Sequence, residues 1–142
     1  MHKYTAIITF VLLFSGFSCN KNNDVYSILP NVRVNIYAYL SQPEYFPIGV
    51  VGGWMYTNGG SKGIIIYRKN IDEFIAFERH VPYKADESCS LATVDSASLN
   101  ITEGCDGSVY LINDGSVIDG IAIIGLKQYV TSFDGDLLHI YN

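Results

Sequence analysis

The chain has 142 residues, 49% hydrophobic and 16% charged, with 9 Lys and Arg against 14 Asp and Glu for a net charge of −5. That length suits a single domain. The acidic balance, with no basic run or stripe to neutralise phosphates, excludes nucleic acid as a partner.

Residues 1–18 read as a signal peptide: His2 and Lys3 make a short positive start, Ala6 through Phe17 is almost uninterrupted apolar sequence, and Ser18 precedes Cys19. The run is shorter than the about 20 apolar residues of a membrane-spanning helix. Phe14-Ser15-Gly16-Phe17-Ser18-Cys19 resembles a bacterial lipobox, in which a small residue before the Cys admits the peptidase and the thiol carries the lipid. Gly16 stands where that motif usually has Leu, and Phe17 is bulky for its place, so ordinary secretory cleavage is the alternative. The resemblance implies lipidation at Cys19 and an exported protein anchored in the bacterial cell envelope, at the outer membrane or the periplasmic face. Two or three acyl chains hold a protein far more firmly than one. Residues 19–31, with the polar stretch from Asn20 to Asp24, then read as a solvated tether. Cleavage removes only Lys3 among the charged residues and leaves the mature chain more acidic by one unit.

Residues 32–142 form the working domain. β-branched and aromatic residues crowd it, and Gly, Asn and Asp punctuate it at short intervals, which reads as all-β. Strands are expected at Val32–Leu40, Gly49–Tyr56, Gly63–Arg68, Phe74–Glu78, Leu91–Val94, Leu99–Thr102, Val109–Ile112, Tyr129–Phe133 and Leu137–Tyr141. In the first, alternation puts Val32, Val34, Ile36, Ala38 and Leu40 on the core face and Arg33, Asn35, Tyr37 and Tyr39 on the other. Asn58-Gly59-Gly60, Asn113-Asp114-Gly115 and Asp134-Gly135 supply residues that accept positive φ in tight hairpins. The one helix candidate is a single turn at Asn70–Phe74, capped by Asn70.

With Cys19 lipidated, Cys89 and Cys105 remain, either bridged or as two buried thiols. Export permits the bridge, and one cross-link contributes about 2–4 kcal/mol to so small a domain.

The stretches Gly63–Arg68, Phe74–Arg79 and Val81-Pro82-Tyr83 resemble the approach to the first cluster-binding loop of Rieske proteins. Gly104-Cys105-Asp106-Gly107-Ser108-Val109-Tyr110, then Asp114–Gly120 and Leu126–Tyr129, resemble the second loop and the segment after it, where the family reads C-P-x-H-G-S, an aromatic, a D-G turn and P-L-x-x-Y. The resemblance spans Val32 to Tyr141 with order and spacing kept. It implies a Rieske-like antiparallel β-sandwich of small stacked sheets with a loop-rich site.

The family's two-iron two-sulfur cluster needs two Cys thiolates and two His imidazoles. The resemblance places the first loop's Cys and His on Val81 and Tyr83, and the second loop's on Glu103 and Asp106. Valine has no donor atom, and the others offer hard oxygens unsuited to that centre. The prolines of the third loop are also replaced, by Ile121 and Gly125. Cys105 falls on the family's non-ligand Cys, which often bridges to a Cys after the first loop, and Cys89 lies in that neighbourhood. The expectation is a protein with no cofactor and no metal, not an enzyme, that binds an unknown protein or small molecule or acts as a scaffold. A Rieske-type electron-transfer protein is the alternative.

Other constellations are weaker. His80 and His139 with Cys89 and Cys105 lack the close pairs of a zinc site, and read as a surface and a strand-edge imidazole. Asp86, Glu87, Glu103 and Asp106 have no calcium-loop spacing and read as a solvated acidic loop. Tyr37, Tyr39, Tyr45, Trp54 and Tyr56 offer an aromatic binding face, with ordinary packing as the simpler account. Replacing Cys19 with Ser is expected to move the protein from the membrane fraction to the soluble one; unchanged fractionation of the variant would contradict lipidation there.

Overall fold

Antiparallel pairing organises the whole domain. The computed structural model describes residues 25–97 and 99–142; residues 1–18, read above as a signal peptide, and Cys19 lie outside the described residues. Strands β1 (Asn35–Tyr39), β2 (Trp54–Thr57), β3 (Ile64–Arg68), β4 (Phe74–Glu78), β9 (Gln128–Phe133) and β10 (Leu137–Tyr141) form a six-stranded sheet in the order β1-β10-β9-β4-β3-β2. Between β4 and β9 the chain builds a second, four-stranded sheet from β5 (Ala92–Asp95), β6 (Asn100–Glu103), β7 (Val109–Leu111) and β8 (Val117–Asp119), in sequence order. All described pairings are antiparallel, so the all-β reading of the sequence holds.

Strand β9 is the corner of the larger sheet. Tyr129 and Gln128 pair with Ala76 and Phe77 of β4, while Val130 to Phe133 pair with β10. The sheet thereby curls, and β1 and β10 fold over the face of β3 and β4. Val34, Ala38, Leu138 and Ile140 meet Ile64, Ile66, Phe74 and Ala76 there. On the opposite face Ile65, Tyr67, Ile75 and Phe77 pack against Ala92, Val94, Ile101 and Tyr110 of the four-stranded sheet and Ile112 just after β7. Strands β3 and β4 thus contribute to two cores at once. Their sequences, Ile64-Ile65-Ile66-Tyr67 and Phe74-Ile75-Ala76-Phe77, are apolar at every position for that reason. Full burial of one such side chain contributes about 1.5–3 kcal/mol.

The three expected hairpin turns connect β2 to β3, β7 to β8 and β9 to β10, and Gly60, Gly115 and Gly135 take φ of 60°, 73° and 109° in them. The expected helical turn at Asn70–Phe74 is instead the β3–β4 hairpin. The register closes at Arg68 and Phe74, and the amides of Lys69 and Asn70 donate to the Glu73 carbonyl at 2.9 and 3.1 Å. Pairing on both sides leaves no room for a helical turn. A 3₁₀ turn forms earlier, at Pro43–Ile48, where it buries Tyr45 and Ile48, so the strand expected from Gly49 begins only at Trp54. Strand β8 was not expected; three half-exposed or exposed residues at a sheet edge carry little periodic signal. The chain also packs on the domain before Val32. Leu29, placed in the tether by its sequence position, is buried, and the Tyr26 hydroxyl donates to the Leu126 carbonyl at 3.2 Å.

Candidate functional site

Three loops gather at one end of the four-stranded sheet: residues 79–91 after β4, residues 104–108 after β6, and residues 120–127 after β8. The Cys89–Cys105 disulfide joins the first two. Their backbones touch so closely that a Cβ at Gly104 would stand 2.6 Å from the Cys89 carbonyl oxygen, which restricts that position to glycine.

A buried glutamate starts each of the first two loops. Glu78, the last residue of β4, accepts the amides of Ser61 at 2.7 Å, Lys62 at 3.0 Å and His80 at 2.9 Å, and the Tyr129 hydroxyl at 2.7 Å. It ties the β2–β3 turn, the start of the first loop and β9 to one carboxylate. Glu103, the last residue of β6, accepts the amides of Cys105 at 2.8 Å and Asp106 at 3.0 Å, curling the second loop over its own side chain. A buried carboxylate is tolerated only with such donors, and losing one partner of a buried hydrogen bond costs about 1–3 kcal/mol.

Hydroxyls and an imidazole complete the framework. The Ser90 hydroxyl donates to the Val81 carbonyl at 2.8 Å. His80 is buried, which corrects its reading as a surface imidazole; Nε2 donates to the Ala85 carbonyl at 2.8 Å, and Nδ1 is hydrogen-bonded to the Ser61 hydroxyl at 2.8 Å. In the second loop the Ser108 hydroxyl donates to Asp106 at 2.6 Å, and this bond, before any other influence, lowers the Asp106 carboxyl below its ordinary value. The same Ser108 oxygen accepts the amides of Ile121 at 3.2 Å and Ala122 at 3.1 Å and so fastens the third loop. Gly120, at φ 95°, lets it approach.

The four positions that the resemblance assigns to cluster ligands are occupied as follows. Val81 is fully buried in the core between the sheets. Tyr83 is half-buried against that core, with the Lys84 ammonium 5.4 Å from its ring centre. Both oxygens of Glu103 hold loop amides, and Asp106 holds Ser108. These residues do not fit a two-iron two-sulfur cluster: one lacks a donor atom, and the oxygens are hard and already engaged. Asp86 and Glu87 are exposed while Glu103 is buried, so the four acids form no common loop face. Among the described residues, no three His, Cys, Asp or Glu side chains converge as a metal ligand set.

The residues whose roles were missed in sequence are Glu78, Ser90 and Ser108, which hold the loops, and Tyr110, which fills the core beneath them. Glu78 left one signal, a charge ending an apolar strand. Tyr110 is fully buried, its hydroxyl has no hydrogen-bond partner among the described residues, and Glu103, Asp106 and Tyr83 act on it electrostatically. The five aromatics offered as a binding face do not share one: Tyr37 and Tyr39 are exposed on β1, Tyr45 is buried, and Trp54 and Tyr56 pack on the inter-sheet core. Tyr37 instead stacks on His139 at 4.3 Å, and His139 on Tyr141 at 4.5 Å.

Neither family models nor curated proteins give a match to this chain. Among solved structures it is similar to the ferredoxin of carbazole 1,9a-dioxygenase from Nocardioides aromaticivorans IC177, with 14% sequence identity and a TM-score of 0.49 over 76% of this chain and 95% of that one. The all-β class rests on the strand order and pairing given above.

The disulfide closes a separation of 16 residues, and a loop of that size contributes about 3 kcal/mol by restricting the unfolded chain. Reduction is expected to lower the unfolding free energy by that order, read from urea midpoints with and without reductant; two alkylatable thiols in the native protein would contradict the bridge.

Burial raises the Tyr110 phenol, and burial followed by the Glu78 hydrogen bond raises the Tyr129 phenol, above the ordinary 10.0. Above about pH 10 the unfolded phenols lose protons that the folded ones keep, so stability is constant below that pH in these groups and declines above it. Urea titrations on both sides of about pH 10 are expected to show the decline, shallower in Tyr129→Phe; stability that stays level through this range would contradict it.

Proposed function

We propose that this chain is an exported, lipid-anchored domain on a Rieske-like frame that works without an iron–sulfur cluster, as a binding or scaffold module of the bacterial cell envelope and not as an enzyme. The observation that carries the reading is Glu103. At the position where the resemblance expects a thiolate ligand stands a buried carboxylate, and its two oxygens accept the amides of Cys105 and Asp106. Side chains thus supply the bonds that shape the second loop, and the disulfide and Ser108 join it to its neighbours. Val81 at a further ligand position supports the same reading, because no rearrangement gives valine a donor. The partner is a protein or small molecule met at the envelope, reached from a membrane anchor at Cys19.

The order of the loops, which follows that of Rieske proteins, favours the second reading, a Rieske-type iron–sulfur electron-transfer protein. The two part on iron. The full-length chain, purified in detergent from cells grown without oxygen, is expected to be colourless with substoichiometric iron and no acid-labile sulfide. Stoichiometric iron and sulfide with visible absorption bands would replace the lead reading with the second.

A further inference from the structure

A groove of about 520 Å³ runs along the β2–β3 hairpin and is walled on its far side by the 3₁₀ turn at Pro43–Ile48. Its volume falls in the range of small-molecule sites, about 300–1,000 Å³. Arg79 lines it, together with Thr57, Asn58, Ser61 and Lys62. The guanidinium is held from two sides: its carbon lies 3.9 Å from the Tyr56 ring centre, and Nε donates to the Ala92 carbonyl at 3.1 Å. Gly63, at φ 98°, lies directly beside the Arg79 side chain, whose path runs along the hairpin at this point.

With Nε used and the plane fixed, the two terminal nitrogens have no acceptor among the described residues, although the chain carries more acidic than basic side chains. Lys69–Glu73 is the one ion pair among the described residues, so no carboxylate neutralises Arg79. A planar guanidinium with two free N–H edges matches a carboxylate or phosphate bidentately, and prior immobilisation reduces the entropy lost on binding.

The other charges define the ligand further. The Lys62 ammonium is directed to the carbonyls of Glu87 and Ser90 at 3.1 and 2.9 Å. Glu78 lies beneath the turn, its oxygens taken by Ser61, Lys62, His80 and Tyr129. Glu44 stands on the far wall and disfavours a polyanion.

We propose that this groove binds a small molecule bearing a single carboxylate or phosphate group, with Arg79 as the recognition residue. Arg79 opens the first of the three loops, but none of the four positions that the resemblance assigns to cluster ligands lines the groove, so oxyanion binding and iron content are read by separate experiments.

The test is an amide and Arg Nε–H NMR titration of the full chain in detergent with sodium phosphate and with sodium acetate, against sodium chloride at equal ionic strength. Saturable shifts at Gly60, Ser61, Lys62 and Arg79 are expected with at least one oxyanion and not with chloride. Saturation by phosphate alone assigns phosphorylated ligands, by acetate alone carboxylates, and by both an oxyanion fork common to the two. Arg79→Gln is expected to weaken binding at least about tenfold, and Arg79→Lys, which keeps charge but not the fork, by less. Asn58→Asp, on an exposed turn that leaves the core untouched, tests the groove without disturbing Arg79 packing and is expected to abolish binding. Absence of saturable shifts with either oxyanion, or equal affinity in the wild type and both Arg79→Gln and Asn58→Asp, would overturn the proposal.

Discussion

Two buried carboxylates, Glu78 and Glu103, govern how the chain leaves its sheets. Each is the last residue of a strand, and each accepts the amide of the residue two places later, His80 in one loop and Cys105 in the other. A buried carboxylate imposes a strict demand, because every oxygen left without a donor carries its desolvation cost into the fold. The chain answers by wrapping backbone around it. The paths of the first two loops therefore follow from satisfying two anions, and the disulfide and the Ser108 hydroxyl only lock what the carboxylates shape.

That arrangement depends in turn on β3 and β4. Both are buried on both faces, one toward the curled half of the larger sheet and one toward the smaller sheet. Such strands cannot slip by one residue without exchanging two cores. Glu78 consequently arrives at a fixed depth, where Tyr129 from β9 and the β2–β3 turn can reach it. The smaller sheet, inserted as one continuous stretch between β4 and β9, carries the second and third loops and packs its own apolar face against β3 and β4. Loops held in this way can vary in their side chains without disturbing the sheets that carry them.

The chemistry that remains at the loop cluster is that of hydrogen bonds between hard oxygens and amides, with a buried phenol, Tyr110, beside Glu103 and Asp106. Nothing in that set favours soft metals or thiolate chemistry. The groove along β2 differs in kind. There a cation is immobilised by stacking and by one hydrogen bond, with its remaining donors facing open space. The carboxylates Glu78 and Glu103 have their donors supplied from within, whereas the terminal nitrogens of Arg79 have no acceptor among the described residues.

The sequence by itself determined the all-β class, most of the strands and the three glycine-bearing hairpin turns, because alternation and turns that accept positive φ are local consequences of pleat geometry; the two-sided burial of β3 and β4 and the edge strand β8 came from the packing of the two sheets. The sequence also showed that thiolates and imidazoles are missing from the positions of the resemblance, which is a matter of residue identity. Only the tertiary structure decided that His80 is buried, that Asn70 sits in a hairpin and not a helix, that the aromatics of β1 and β2 face different ways, and that Arg79 has no carboxylate partner among the described residues. Those outcomes depend on which distant groups are brought within about 3 Å of one another. Charge and hydrogen-bond satisfaction are properties of that neighbourhood, and no spacing along the chain encodes them.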